Sequence, residues 1–283
     1  MAVFALLLTA VLMVVLATVV GRARRVTARD VAWLAGSAAV PDDEARVYRL
    51  YLARHRTRRV LGGLAGVGFA VVVGVRWYGT VRAGVGGASP LADVLFCALA
   101  GTVVGALSAE TYRLRRLVGP AVASLAPRSP GPRGGLVRTA WAVAGAAVAV
   151  GLGCAVATGR LGALLMAVAT ALLVGVAAFT LRAVRRRRRV VDDPRAAAVD
   201  ARLRAFAGET VAWLALAAAA LGAGWTCAFL PWSGGPAWVG PALAVGSLAV
   251  TGWALHRASP RPPRSFVAGG AWAGVVGPEA VPS

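Results

Sequence analysis

The sequence predicts an all-α, polytopic integral membrane helix bundle of about seven transmembrane helices, and three observations predict it. First, a mean hydropathy of +0.70 with 58% apolar residues exceeds the range of soluble globular proteins. Second, long runs without a charge recur, and the run at 161–181 is long enough at ~1.5 Å per residue to cross a ~30 Å hydrocarbon core. Third, basic clusters follow alternate runs, and the densest is Arg185 to Arg189.

The apolar runs predict a transmembrane bundle over 1–257, with a flexible cytoplasmic tail at 258–283. The spans are expected at about 2–20, 60–78, 90–108, 139–157, 161–181, 211–229 and 237–255. The first is interpreted as an uncleaved span, because its arginines follow the apolar run whereas a secretory signal places them before it. Only Thr158-Gly159-Arg160 separates the fourth and fifth spans, so these two are predicted to form a tight antiparallel hairpin.

The distribution of arginine predicts the orientation of the bundle. Of the 31 arginines, 28 lie in the segments 21–59, 110–138, 182–209 and 256–283, all of which fall on one side if the seven spans alternate. Arg76, Arg82 and Arg160 lie on the other side. By the positive-inside rule the N-terminus is predicted to be outside and the C-terminus cytoplasmic, in the cell membrane.

The first loop, 21–59, contains signals for a short helix. Thr27 and Asp30 have the spacing of a capping box, and Gly36 is placed to end the helix. We expect Trp33 and Leu34, which lie between these signals, to rest at the membrane interface.

Two further helices are predicted to lead into spans. One begins at the acids that follow Pro41 and continues into the span at 60–78, because acidic residues favour the first turn of a helix. The other occupies 192–209 before the span at 211–229. Helical spacing places apolar residues on one face of each: Val47, Leu50 and Tyr51 on the first, and Val199, Leu203 and Phe206 on the second.

Glycines recur at four-residue spacing in the second and third spans. Gly62 and Gly66 form one G-x-x-x-G pattern, and Gly101 and Gly105 form another. Small residues at this spacing let membrane helices approach closely, so we predict that these four glycines lie at helix contacts.

The order of elements indicates a possible 3+1+3 internal repeat. One order of elements occurs twice: span, basic cluster, Asp-Asp, basic helix, span, short turn and span. In this order Asp42-Asp43 matches Asp192-Asp193. This plan is similar to the layout of sugar-efflux-type transporters, whose helices carry a Pro-Gln pair, and this chain contains no Gln. The alternative is that alternate loops are basic in any protein of this topology.

Ionisable residues inside spans would be the strongest functional signal, and the sequence places them at span ends. Asp93 lies near the outer end of the third span, and Glu110 and Glu209 lie at inner ends. His55 stands among arginines and His256 at a helix end, so both are expected to be exposed at the interface. Proton or sodium coupling normally uses buried carboxylates or histidines, which disfavours coupled transport.

No pattern in the chain is typical of a metal, nucleotide or nucleophile site, so we predict no catalytic residue, cofactor or metal. Asp42 and Asp43 are interpreted as a helix start, because Mg²⁺-diphosphate enzymes space their acids three or four apart on two helices. Cys97, Cys154 and Cys227 have no metal spacing and are expected to pack in spans, with a Cys154–Cys227 bridge as the alternative.

The leading functional hypothesis is a non-enzymatic integral membrane protein that acts through helix packing and basic cytoplasmic loops, in a structural, regulatory or partner-binding role. The alternatives are an uncoupled small-solute transporter and, third, a membrane lipid-modifying enzyme. The expected partners are anionic lipids, contacted by Arg185, Arg186, Arg187, Arg188 and Arg189, and another membrane protein or an acidic cytoplasmic protein. Nucleic acid is not expected, because the arginines lie between spans rather than on one folded face.

Overall fold

The structure, a computed structural model, describes residues 18, 21–22, 25–37, 39–78, 90–111, 134–186, 194–230, 238–263 and 266. Within these residues the chain is all helical, with seven helices and no strand. The helices are α1 (Ala28–Ala35), α2 (Asp42–Tyr78), α3 (Pro90–Thr111), α4 (Gly134–Thr158), α5 (Gly162–Arg186), α6 (Pro194–Ala228) and α7 (Val239–Arg257). Apart from Thr18, the predicted span at 2–20 lies outside the described residues.

Six of the described helices, α2 to α7, are long and apolar enough to cross a membrane. They correspond in order to the second to seventh predicted spans, which confirms the prediction of a membrane helix bundle. The helices α2 and α6 are much longer than a span, at 37 and 35 residues, because each continues without a break from a polar segment into an apolar one. This continuity was predicted for α2 from its acidic first turn.

The centre of the bundle is α6, which contacts α3, α4, α5 and α7. No residue of 211–221 is more than 9% exposed, because this alanine-rich run lets the neighbouring helices approach on every side. Of the most apolar part of α6, 72% is buried, compared with 11% for α2. The two helices that the internal repeat would match therefore have different surroundings, and the repeat stays a prediction.

The backbones of α2 and α3 meet at the four glycines of the two G-x-x-x-G patterns. A Cβ added to Gly62 would overlap the carbonyl oxygen of Gly101 and lie 2.9 Å from the Cα of Gly105. A Cβ on Gly66 would overlap the carbonyl oxygen of Cys97. Backbone atoms cannot move aside as a flexible side chain can, so this crossing requires glycine.

The helices α4 and α5 form the predicted tight hairpin. The turn contains Gly159, whose φ of 69° lies in the left-handed region. The hydroxyl of Thr158, the last residue of α4, donates to the carbonyl oxygen of Cys154. All three cysteines are free, so the Cys154–Cys227 bridge is not formed.

The cap is a small helical cluster that comprises α1, residues 42–59 of α2 and residues 194–209 of α6. The predicted capping box of α1 is present, and Gly36 ends the helix with a φ of 65°. The expected interface position of Leu34 is wrong, because Leu34 is 8% exposed and packs in the cap; Trp33 meets Phe206 edge-on at 5.5 Å. The apolar face of this short helix is thus covered by protein.

Of the three apolar residues that share one face of α2 in the cap, only one is buried. Tyr51 is buried, but Val47 and Leu50 are 41% and 60% exposed. The buried stripe instead comprises Ala45, Tyr48, Leu52, His55, Arg59 and, in the span, the glycine contact at Gly62. Because α2 is one continuous helix, the glycine crossing in the span sets which face is buried in the cap, about one to five turns earlier.

Candidate functional site

Polar side chains are buried at the arginine-rich end of the bundle, where α2 and α6 enter from the cap and α3 and α7 end. They belong to one stretch of α2, immediately before its apolar part begins. Tyr51, His55, Arg56 and Arg59 are 3%, 1%, 8% and 8% exposed. Arginine is almost never buried unless it is paired, so these side chains need partners from neighbouring elements. We call this set, with its partners, the polar junction.

His55 bonds to Glu110 of α3. Its Nε2 lies 2.7 Å from Glu110 Oε1, and the two side chains are 1% and 0% exposed. The hydroxyl of Tyr51 donates to the same carboxylate oxygen. From α6 the ring of Phe206 approaches Tyr51 at 6.0 Å and His55 at 6.3 Å, which closes the cluster against the cap. The expectation that His55 is exposed at the interface is therefore wrong.

Arg56 joins three separate segments with its planar guanidinium. Nη2 and Nη1 lie 2.7 and 3.0 Å from the two carboxylate oxygens of Asp30 in α1. Nη1 also donates to the carbonyl oxygen of Arg25 at 2.8 Å, and Nε and Nη2 donate to that of Pro260 at 3.1 and 2.8 Å. Such a paired, fork-shaped arrangement is among the stronger hydrogen-bonding geometries in proteins.

Opposing effects set the pKa of Asp30. Burial alone would raise it, but the hydrogen bonds from Arg56 and from the Thr27 backbone, with the positive charge of Arg56, favour the carboxylate. The net result is a pKa below the usual 3.8. Asp30 is therefore charged at neutral pH and forms a buried ion pair with Arg56.

Arg59 fixes the end of α7. Its Nη1 donates to the carbonyl oxygen of Ala258 at 2.7 Å, and its Nη2 donates to that of Leu255 at 2.9 Å. The last carbonyls of a helix have no partner within the helix and carry partial negative charge, so a guanidinium is well matched to them.

The beginning of the predicted flexible tail accepts hydrogen bonds from an arginine of α1 and from arginines of α2. Pro260 accepts the two bonds from Arg56, and Arg29 Nη2 donates to the carbonyl oxygens of Pro263 at 3.3 Å and Phe266 at 2.9 Å. Carbonyl oxygens of residues 258, 260 and 263 thus accept bonds from α1 and α2, and the flexibility of the tail stays a prediction. The residues from 267 onward lie outside the described part of the chain.

The side chains of the polar junction form hydrogen bonds to one another and to the neighbouring segments. Within the described ranges, no three of the His, Cys, Asp and Glu side chains come together as metal ligands would. Coupled transport was disfavoured because the sequence showed no buried histidine or carboxylate, and the polar junction contains both. That argument no longer holds, because His55 and Glu110 are both buried.

The other predicted site residues lie away from the polar junction. Arg185 and Arg186 are exposed at the end of α5, and 187–189 lie outside the described residues, so the anionic-lipid contact stays a prediction. Asp93 is 1% exposed near the opposite end of α3, and His256 is exposed at the end of α7.

The sequence contains one signal that would have located the polar junction. His55, Arg59 and Gly62 are spaced by four and three residues, so they share a helical face. Because Gly62 was already assigned to a helix contact, that face predicts burial for the two basic residues. Their partners, Glu110 and the end of α7, are not indicated by any sequence pattern that we recognise.

Comparison with protein families, with curated proteins and with solved structures finds no match for this chain. Functional conclusions therefore rest on the geometry of the cap, the polar junction and the spans.

Proposed function

We propose that this membrane-spanning helical protein is a non-enzymatic docking protein of the cell membrane. In this proposal the spans anchor the chain, and the cap binds a protein on the cytoplasmic side. The supporting observation is an exposed apolar patch on the cap part of α2, formed by Val47 and Leu50, which are 41% and 60% exposed. Exposed Arg46 and Arg49 stand beside it.

The patch lies too far from the bilayer for its apolar surface to be explained by lipid. Leu50 precedes Val60, where the apolar part of α2 begins, by ten residues, or about 15 Å of helix for α2 near the bilayer normal. The headgroup layer on each side of the hydrocarbon is only about 5–8 Å thick. Apolar surface exposed beyond that layer is typical of a protein interaction site, and arginine is enriched in such interfaces.

The charges around the patch favour an acidic partner. The described parts of 25–59 and 194–209 contain eleven arginines and six acidic residues. Two of those acids, Asp30 and Asp200, are already paired with Arg56 and Arg204. Complementary charge steers association and excludes wrong partners. The partner that fits is therefore a cytoplasmic protein with an apolar contact surrounded by acidic side chains.

The polar junction supports the proposal because it makes the cap one rigid extension of the spans. His55 ties α2 to α3, Arg56 ties it to α1, and Arg59 ties it to α7. A docking surface held this way loses little conformational entropy when a partner binds.

Photo-crosslinking in cells tests the proposal. A photoreactive amino acid replaces Leu50, and the matched control replaces Val72, which is 64% exposed on the same helix at membrane depth. We expect protein adducts from position 50, with loss of these adducts when Arg46 and Arg49 are changed to Glu. The same adducts from both positions, or adducts that do not depend on the two arginines, would contradict the proposal.

The carrier alternative receives no support from the cavity at membrane depth. The groove between α2 and α3 is lined mainly by Gly, Ala, Leu, Val and Phe residues. Its exposed walls lie on the outside of the bundle, where lipid would contact the spans. A path for a polar solute would instead bring hydrogen-bonding groups together inside the bundle.

A further inference from the structure

A groove of about 620 Å³ runs along the outer side of the α2–α3 crossing. The four glycines of the crossing form its floor, because the two backbones meet there without side chains. Its walls are apolar and exposed, with Leu61 45%, Phe69 60% and Val104 52% exposed. The contact between the two backbones fixes the floor of the groove.

The length and depth of the groove match one leaflet of a bilayer. From Arg58 to Phe69 it follows eleven residues of α2, which is about 16 Å of helix. Half of the ~30 Å hydrocarbon core is about 15 Å. The groove thus begins at the arginine-rich boundary and ends near the bilayer midplane, where Trp225 of α6 lines it.

The two ends of the groove differ in charge. Arg58 lies at the boundary end and is exposed, and Arg54 precedes it by one turn on α2. Ser108 lies beside Arg58, but its hydroxyl already donates to the carbonyl oxygen of Gly105 at 2.8 Å. The charged contact at this end therefore comes from arginine. A positive end joined to an apolar channel complements an amphiphile with an anionic head and a hydrocarbon chain.

We infer that this groove is a binding site for an anionic phospholipid of the leaflet on the arginine-rich side. One acyl chain lies on the glycine floor, and the phosphate contacts Arg58 at the membrane boundary. Basic sites between membrane helices on the cytoplasmic side commonly bind anionic headgroups. The glycine floor adds a defined place for the chain, which distinguishes this site from the general attraction of exposed arginines to a charged surface.

Quenching of Trp225 by brominated lipid tests the inference. The full-length protein is placed in nanodiscs of phosphatidylcholine that contain increasing amounts of brominated phosphatidylglycerol or brominated phosphatidylcholine. The chain has nine tryptophans, so the Trp225→Phe variant is measured in parallel and the difference gives the Trp225 signal. We expect half-maximal quenching at about fivefold less anionic than neutral lipid, the factor that one arginine near an anionic surface supplies.

Two pairs of variants separate this site from general surface charge and from loss of folding. Arg58→Gln should abolish the lipid preference, whereas Arg182→Gln, at an exposed arginine of α5 at the same end, should preserve it. Ala65→Phe, at an exposed position lining the groove, should reduce Trp225 quenching by both lipids, whereas Ala149→Phe, at an exposed position of α4, should not.

Three outcomes would overturn the inference. Equal quenching by the two lipids would show that the groove holds bulk lipid. Equal effects of Arg58→Gln and Arg182→Gln would show that surface charge alone sets the preference. No quenching of Trp225 by either lipid would show that protein fills the groove. Arg58→Gln changes an exposed side chain, so a folding failure of Ala65→Phe leaves the test intact.

Discussion

Replacement of Glu110 by Met should destabilise the protein strongly, because it leaves the buried His55 and Tyr51 facing an apolar side chain. Glu110 is fully buried, and both residues bond to its carboxylate. A buried polar group that loses a hydrogen-bond partner typically costs about 1–3 kcal/mol, and here two such groups are affected, which gives about 3–5 kcal/mol in total. We expect a loss in this range in the free energy of unfolding.

The second variant, His55→Leu with Glu110→Met, removes both members of the pair. Replacement of a whole buried pair by apolar side chains of similar volume is often nearly neutral. Tyr51 then loses its hydrogen bond to the carboxylate, which costs about 0.5–1.5 kcal/mol. The double variant should therefore be more stable than the sum of the two single variants by about 2 kcal/mol or more.

The measurement is a double-mutant cycle on the purified protein in detergent micelles. Denaturant titration followed by circular dichroism gives the free energy of unfolding for each variant. As a rough guide from soluble domains of 150–250 residues, a loss of 3–5 kcal/mol lowers Tm by about 6–20 °C. Glu110→Gln is the conservative control, because it retains an acceptor for Tyr51 and should lose less stability than Glu110→Met.

Additive losses in the cycle would refute this reasoning. They would mean that the bond between His55 and Glu110 adds nothing to the free energy of unfolding, even though the two side chains lie 2.7 Å apart. A loss below about 1 kcal/mol for Glu110→Met would do the same, because it would place the carboxylate in contact with water.

Three further predictions follow from the packing, the cap and the topology. Gly101→Leu should cost about 1–3 kcal/mol or more through overpacking of the α2–α3 crossing, whereas Ala149→Leu, at an exposed position of α4, should change the free energy of unfolding by less than about 0.5 kcal/mol; similar losses would mean that the glycines are incidental. The pKa of Asp30 is lowered on folding, so its contribution to stability is present above its unfolded value of about 3.8 and is lost as pH falls below it; the stability difference between the natural chain and Asp30→Asn should shrink between pH 5 and pH 3, and a difference that grows toward acid would contradict the ion pair. Reporter fusions at Ser283 and within 127–135 should both report the cytoplasmic side, and an external signal from either would overturn the seven-span topology.

The spans were predictable because the bilayer requires about 20 consecutive residues to be predominantly apolar. The run at 161–181, for example, became α5 over Gly162–Arg186 with no knowledge of its neighbours. The capping box was predictable for a related reason, since Thr27 and Asp30 are three residues apart and bond to each other. In both cases the physical cause lies within one local segment of the sequence.

The buried face of the cap part of α2 was not predicted, because its cause lies elsewhere. Local spacing placed Val47 and Leu50 on one apolar face with Tyr51, yet Tyr51 is buried and the other two are exposed. The rotation of α2 is fixed by the contact of Gly62 with α3, which lies in the span rather than in the cap. The bond between His55 and Glu110 joins residues 55 positions apart, and no periodicity connects them.

The positive-inside rule counts every arginine equally, but the described arginines differ: some are exposed at a helix end and others are buried and hydrogen-bonded. Arg185 and Arg186 are exposed at the end of α5, and any compact positive charge there would oppose entry into lipid equally well. Arg56 is 8% exposed, and its fork bonds to a carboxylate and to two carbonyl oxygens in three segments. A lysine has three donors on one atom and cannot reproduce that planar geometry. The requirement for arginine at position 56 therefore comes from folding, whereas the topological role predicted for positions 185 and 186 requires only positive charge.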